Sequence, residues 1–268
     1  MGNTLANKTI AITRSESNNA EFIRLVKQEG GIPISLPTMK LIPIDSKQFL
    51  KTFSQICTRH YHYYVFMSPS SVDLFFKLVK ENKLTRLLEE QLAKCDVIAI
   101  GPSTRKKLEL NNVSVKSQPN DYSTRGILKL LKKLQLKPGT RILIPRSAAS
   151  NSFLKEQLDA MSIIVDEFYI YYPQAETSSQ SWIEFSQQIK MNKVNVIIFT
   201  SPSAVSYFFS IMHEVFPDFL TYIKNIVLIS IGPNTTSELR SKDIIPVESE
   251  EHTVRGTVQL VDRIFSKK

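Results

Sequence analysis

The chain repeats itself. Four short motifs recur in the same order at a spacing of about 130 residues. Ile12-Thr13-Arg14-Ser15 is matched by Ile144-Pro145-Arg146-Ser147, and Ser68-Pro69-Ser70-Ser71-Val72 by Ser201-Pro202-Ser203-Ala204-Val205. Ile98-Ala99-Ile100-Gly101-Pro102 returns as Ile229-Ser230-Ile231-Gly232-Pro233, and Arg125-Gly126 as Arg255-Gly256. A shared order of this kind restricts the fold to two copies of one supersecondary series, and 268 residues are enough for two domains.

Most of these motifs sit at one kind of junction: a short Ile/Val-rich run, a cluster of Ser, Thr, Pro or Gly, then a helical pattern. After Ser68 the apolar residues Val72, Phe75, Phe76 and Val79 fall at i, i+3, i+4 and i+7; after Ser201 the equivalents are Val205, Phe208, Phe209 and Met212. Ser68 and Ser201 suit the N-cap, and Pro69 and Pro202 the first helical turn. Thr9–Thr13 reads as a strand, Asn18–Glu29 as a helix ended by Gly30-Gly31, and Ile32–Leu36 as a further strand. Arg141–Ile144 and Ile163–Tyr171 bracket a helix in the second copy. Strands alternating with helices predict parallel sheets covered on both faces, hence two doubly wound, Rossmann-like (flavodoxin-like) α/β domains. A tandem division would fall near Lys137-Pro138-Gly139. Equivalent, extended, proline-bounded stretches at Leu36–Pro43 and Phe168–Pro173 offer the alternative, in which the chain crosses twice and each domain draws on both copies.

In doubly wound sheets the ligand crevice lies at the carboxyl ends of the strands, where helices begin. Free N–H groups and the helix dipole suit those starts to anions. Here they carry Ser68, Ser70, Ser71, Ser103, Thr104, Ser201, Ser203, Asn234, Thr235 and Thr236, which are donors rather than acids or bases. For each of them alone, plain capping accounts for the residue; the duplicated set is what points to a ligand. Absent motifs narrow the chemistry. There is no G-x-G-x-x-G, no G-x-x-x-x-G-K-[ST] and no G-x-S-x-G, and the chain holds only 8 glycines. No carboxylate pair stands out, so a positioning enzyme or a binding protein fits better than a hydrolase.

Cys57 and Cys95 lack metal or redox spacing and read as free thiols. His60 and His62, without a third ligand, read as a surface pair at a strand entry, and no metal site is expected. The net charge of +9 favours an anionic partner. The densest basic stretch, Lys129, Lys132, Lys133, Lys137 and Arg141, alternates with Leu128, Leu130, Leu131 and Leu134 as the wet side of an amphipathic helix would. Basic residues are otherwise spread over many elements, which argues against a nucleic-acid surface. No apolar run reaches membrane-spanning length. The first residues lack both a secretion-signal core and the myristoylation pattern, so a cytoplasmic location is expected.

The ordered segments Ile12-Thr13-Arg14, Val65-Phe66-Met67-Ser68-Pro69-Ser70, Ile100-Gly101-Pro102-Ser103-Thr104, Phe199-Thr200-Ser201-Pro202-Ser203 and Ile231-Gly232-Pro233-Asn234-Thr235-Thr236 resemble the uroporphyrinogen-III synthase family over nearly the whole chain. The resemblance implies two Rossmann-like domains joined by a two-stranded linker. Residues 1–37 with 173–268 would form one domain, 38–172 the inserted other, and stretches near 36–43 and 168–173 the linker. It implies a cofactor-free, monomeric lyase acting on hydroxymethylbilane, an octacarboxylate held in a cleft between the domains. Loss of the terminal hydroxyl, attack through a substituted pyrrole carbon and fragmentation of a spiro intermediate would invert the last ring. The family's candidate general acid, a tyrosine ending a Val-x-x-x-x-x-Tyr strand, falls at Tyr171, with Tyr169 and Tyr172 one or two steps away. A Tyr171 hydroxyl at the surface is expected, and mere packing of that ring is the alternative. Arg14, Ser68, Ser70, Ser103, Thr104, Ser201, Ser203, Asn234 and Thr235 would bind substrate. Met67 departs from the Thr that many relatives have before the first Ser-Pro. The competing reading is a non-catalytic two-lobed binder of a small anion.

Overall fold

The computed structural model describes residues 3–14, 19–177 and 180–266. Ser15 of the first motif and Asn18, the expected helix start, lie outside the described residues. From the amino end, β1 (Thr9–Ile12), α1 (Ala20–Gln28) and β2 (Ile32–Ser35) form a βαβ unit. Then come β3 (Met39–Pro43), α2 (Ser46–Cys57), β4 (Tyr63–Phe66), α3 (Pro69–Glu81), α4 (Thr85–Leu92), β5 (Asp96–Ala99), α5 (Pro102–Glu109) and α6 (Thr124–Lys133). The second copy restarts with β6 (Arg141–Ser147), α7 (Phe153–Asp159) and β7 (Ile164–Ala175), and continues through α8 (Gln180–Lys190), β8 (Val194–Phe199), α9 (Pro202–Val215), α10 (Phe219–Ile223) and β9 (Val227–Ser230). It ends with α11 (Pro233–Arg240), β10 (Val247–Glu248) and α12 (Val254–Ser266).

These elements build two sheets, ordered β10-β9-β8-β1-β2 and β3-β7-β6-β4-β5. The pairs of β1 with β2 and β8, of β8 with β9 and of β9 with β10 are parallel, as are those of β6 with β7 and of β4 with β5 and β6. The expected pair of parallel α/β sheets is therefore present. Each is made from the βαβ start of one copy and the remainder of the other. Counted that way, both run 2-1-3-4-5, the flavodoxin-like order; in the second sheet the parallel bridge of Ser117 to Ile98 stands in for strand five. Along β3, Glu176 donates to the Thr38 carbonyl and Ile44 to the Ile170 carbonyl, so β3 runs antiparallel to β7. Two compact units result. One comprises the residues up to Lys40 and from Gln174 onward, the other Leu41–Pro173.

Local sequence explains the helix starts. Ser68 and Ser201 are extended N-caps whose hydroxyls accept from the Ser71 and Ala204 N–H groups at 3.1 Å, with proline following each. Apolar residues then cover both faces of each sheet. In the first unit, Trp182, Phe185, Phe199, Phe209 and Phe219 surround Phe208 at centroid distances of 5.1–6.3 Å. In the second, Phe49, Phe53, Phe66, Phe76 and Phe168 surround Phe75, its repeat equivalent, at 5.7–6.3 Å. Opposite faces carry Ile10, Ile12, Phe22 and Val26, and Val65, Ile98, Ile142 and Ile144.

The Arg-Gly motif has a packing reason. A Cβ on Gly126 would lie 1.8 Å from the Asp121 carbonyl oxygen, and one on Gly256 2.5 Å from that of Glu251. Both glycines sit where a helix start is pressed onto the preceding loop.

The basic stretch is amphipathic as expected, with Ile127, Leu128 and Leu131 buried and Lys129, Lys132 and Lys133 exposed. Its helix stops at Lys133, however, so Lys137 lies beyond it and Arg141 opens β6. Leu134 is partly exposed rather than buried. Among the described residues no helix is long and apolar enough to cross a membrane.

Candidate functional site

Reversal of strand order falls between β1 and β8 in the first unit and between β6 and β4 in the second. These switch points are where open α/β sheets bind ligands. At the first, side chains bond across the point. The Thr13 hydroxyl donates to the Ile198 carbonyl at 3.2 Å and accepts from the Thr200 N–H at 3.1 Å, while the Thr200 hydroxyl donates to the Thr13 carbonyl at 3.1 Å. In the second unit Pro145 and Met67 occupy the equivalent places and cannot make these bonds. A cavity of about 180 Å³ opens there instead, bordered by Ser68, Thr124, Arg146, Ser147, Ser150 and Tyr171.

Tyr171 reaches that cavity through a backbone irregularity. The pairing of β6 with β7 slips between Arg146 and Ser147, so that Arg146 faces Tyr169 and Ser147 faces Tyr171. Ile170 and Tyr171 are consequently both buried, whereas Tyr169 and Tyr172 are exposed. Tyr171 is 7% exposed, so its ring packs inward. Its hydroxyl has no bonded partner among the described residues and is not sealed from solvent. Tyr169 donates to Glu167 at 2.7 Å, and that bond, with some burial, raises the phenol above its usual range.

The other candidates divide by exposure. Ser103, Ser203, Asn234 and Arg14 are exposed, and Ser68, Ser70 and Ser201 are half-buried. Thr104 and Thr235, at 1% and 3% exposure, lie under their helices. Ser68 and Ser201 are committed to capping, and their hydroxyls also meet those of Ser71 and Ser203 at 2.8 and 3.1 Å. Ser68→Ala and Ser201→Ala are each expected to cost about 0.5–2 kcal/mol of stability. Denaturant midpoints measured at constant m check this, and unchanged midpoints would remove capping as their role.

Three residues escaped the sequence reading. Arg146 is the repeat partner of Arg14, yet it is buried beside Glu167. Tyr122 and His252 are repeat partners at about the same 130-residue spacing. Each lays its ring against a Gly-Pro helix start: a Cβ on Gly101 would be 3.2 Å from Tyr122 Cγ, and one on Gly232 3.1 Å from His252 Cδ2. The repeat register alone was enough to nominate all three.

Elsewhere the groups are structural. Asp166 accepts from Tyr61 at 2.7 Å and from Arg141 at 2.9 Å, with Arg59 at 3.2 Å. Burial pushes its carboxyl up, but these bonds and the charges of Arg59 and Arg141 outweigh that and leave it below the usual range. Cys95 is pushed up to about 12 by burial and by the charge of Asp96, and burial also raises Cys57, so neither thiol is activated. His60 and His62 are exposed, the latter accepting from the Arg141 N–H. No cluster among the described residues is placed to hold a metal. A cavity of about 770 Å³ adjoins the amino end of β5, away from the helix starts after β4 and β5.

The fold and these donors define an α/β protein of two flavodoxin-like units that offers hydroxyls, helix starts and one buried guanidinium where a ligand would sit. The sequence model of uroporphyrinogen-III synthase matches residues 20–259, and the chain belongs to that family, the cyclising lyases of tetrapyrrole biosynthesis. A protein of Methanothermobacter thermautotrophicus is 26% identical over 255 residues, covering 93% of this chain and 95% of its own. The uroporphyrinogen-III synthase of Chlorobaculum parvum is 24% identical, covering 89% and 93%. Two solved structures share the fold at 15% identity: a mutant uroporphyrinogen III synthase of Thermus thermophilus (TM-score 0.62, covering 97% of this chain and 100% of that one) and the Helicobacter pylori enzyme (TM-score 0.61, 96% and 99%). The anion-binder alternative is not favoured by these findings.

Proposed function

We propose that this chain cyclises hydroxymethylbilane to uroporphyrinogen III, with loss of water and inversion of the last pyrrole ring. The observation that carries the reading, beyond family membership, is the cavity at the second switch point, where Tyr171 borders the same space as Ser68 and a buried arginine. The Tyr171 phenol protonates the departing hydroxyl. The azafulvene so formed is attacked through the substituted carbon of the terminal ring, and the spiro intermediate fragments and recloses. Unaided, the substrate closes directly to the type I isomer, so the protein's task is to hold the geometry that leads to inversion. Arg14, Ser70, Ser103, Thr104, Ser203, Asn234 and Thr235 join Ser68 and Ser201 in receiving substrate carboxylates by hydroxyl, amide, guanidinium and backbone donors. The +9 charge suits an octacarboxylate. In the same reading the chain is a cytoplasmic monomer without cofactor, nucleic-acid or membrane partner, and residues 38–172 form an inserted domain.

The deciding experiment incubates purified protein with hydroxymethylbilane and separates the isomers. Type III product is expected; type I alone, at the spontaneous rate, would defeat the proposal.

A further inference from the structure

Arg146 is a cation that ordinary folding does not account for. Its residue is 7% exposed, and its Nη1 donates to Glu167 at 2.5 Å, which balances the charge. Its Nε is fully buried and has no acceptor. An N–H left unsatisfied in this way costs about 1–3 kcal/mol, so a fold that keeps it there without a partner is the unusual case. Arg146 borders the cavity of about 180 Å³ at the second switch point, together with the hydroxyls of Thr124, Ser147 and Ser150. Of these, Ser147 accepts from the Ala149 N–H, whereas Thr124 and Ser150 have no side-chain bond among the described residues. No carboxylate borders the space. At roughly 30 Å³ of liquid volume per water, the cavity has room for more than a single water molecule. It combines an unpaired charged donor, free hydroxyls and no competing anion.

We infer that this cavity is a seat for one carboxylate arm of the substrate, bound by the Arg146 guanidinium and the hydroxyls of Thr124 and Ser150. The inference rests on the proposed function for the identity of the substrate, and on the cavity alone for the chemistry of the site. Glu167 acts by position. It holds the guanidinium through Nη1, leaving Nη2, which has no bonded partner among the described residues and is not sealed from solvent, free to donate, and is itself steadied by the Tyr169 hydroxyl. A carboxylate seated there also lies against Tyr171, so it would fix the substrate relative to the proposed acid.

Arg146→Lys separates the roles, because lysine keeps a cation beside Glu167 but lacks the guanidinium's second terminal nitrogen. KM for hydroxymethylbilane is expected to rise about 10- to 100-fold, the equivalent of one charge-assisted hydrogen bond, with a smaller change in kcat. Ser150→Ala, at a half-buried loop position, is expected to raise KM in the same direction and leave the unfolding midpoint unchanged. Independently of turnover, the Nε–H resonance of Arg146, assigned by its loss in Arg146→Lys, is expected to shift and saturate as propionate is titrated into the wild-type protein. KM values within twofold of wild type in both variants, or an Nε–H resonance unmoved by propionate, would overturn the inference and leave the cavity to water. If the wild-type protein makes only the type I isomer, the functional reading fails by itself, and the propionate titration still decides the site.

Discussion

Tyr171→Phe is expected to lower kcat for type III formation by about 10²–10⁴-fold, the usual contribution of a positioned general acid, with KM little changed. The fold should be indifferent to the change. The ring packs in the aromatic core beside Phe168 and Ile170, and phenylalanine keeps that packing. The hydroxyl has no bonded partner among the described residues, so its removal leaves no buried group unpaired. Tyr172→Phe is the control, because Tyr172 is 44% exposed and lies one position past the slip in β7. Isomer-resolved steady-state kinetics decide the matter. Loss of activity in the Tyr172 variant with none in the Tyr171 variant would move the acid, and normal rates in both would remove tyrosine from the mechanism.

Phe208→Ala should have the largest effect on stability. Phe208 is fully buried and touches five aromatic rings drawn from α8, β8, α9 and α10. Truncating a ring so enclosed costs about 3–5 kcal/mol, part lost transfer energy and part residual cavity. Phe208→Leu, which keeps most of the volume, should cost distinctly less. Denaturant unfolding monitored through Trp182, 5.7 Å from Phe208 between centroids, reports on this core directly. A loss below about 1 kcal/mol would mean that the surrounding rings collapse into the space. Phe75→Ala should behave alike in the second unit, where five rings also surround the side chain and Phe49, Phe66 and Phe76 hold the repeat positions of Trp182, Phe199 and Phe209.

Much of this was legible because it is local. Ser-Pro at a helix start, a 3.6-residue apolar stripe after it and Gly30 with φ +78 after α1 are all set by residues within a turn of one another. So was the duplication, which is a property of order alone. The candidate site was less legible, and the difference between Arg14 and Arg146 shows why. The two arginines hold the same place in the repeat, and only Arg14 was singled out. Burial distinguishes them, and burial depends on which strands lie alongside. The Thr13–Thr200 and Pro145–Met67 pairs teach the same lesson, since each joins residues from different copies of the repeat.

By itself, then, the sequence determined the element types, the helix caps, the two-copy plan and the family. The residues themselves left the tandem and the twice-crossing divisions open, and tertiary structure decided between them, each sheet taking its first βαβ from one copy and its remaining strands from the other. It also decided that the register of β7 slips to bury Tyr171, and that Thr13 and Thr200 bond across one switch point while a cavity borders Arg146 at the other. The physical reason is range. Capping and periodicity are satisfied within a few residues, whereas sheet order, strand register and the fate of a buried donor are settled by partners often more than a hundred residues away.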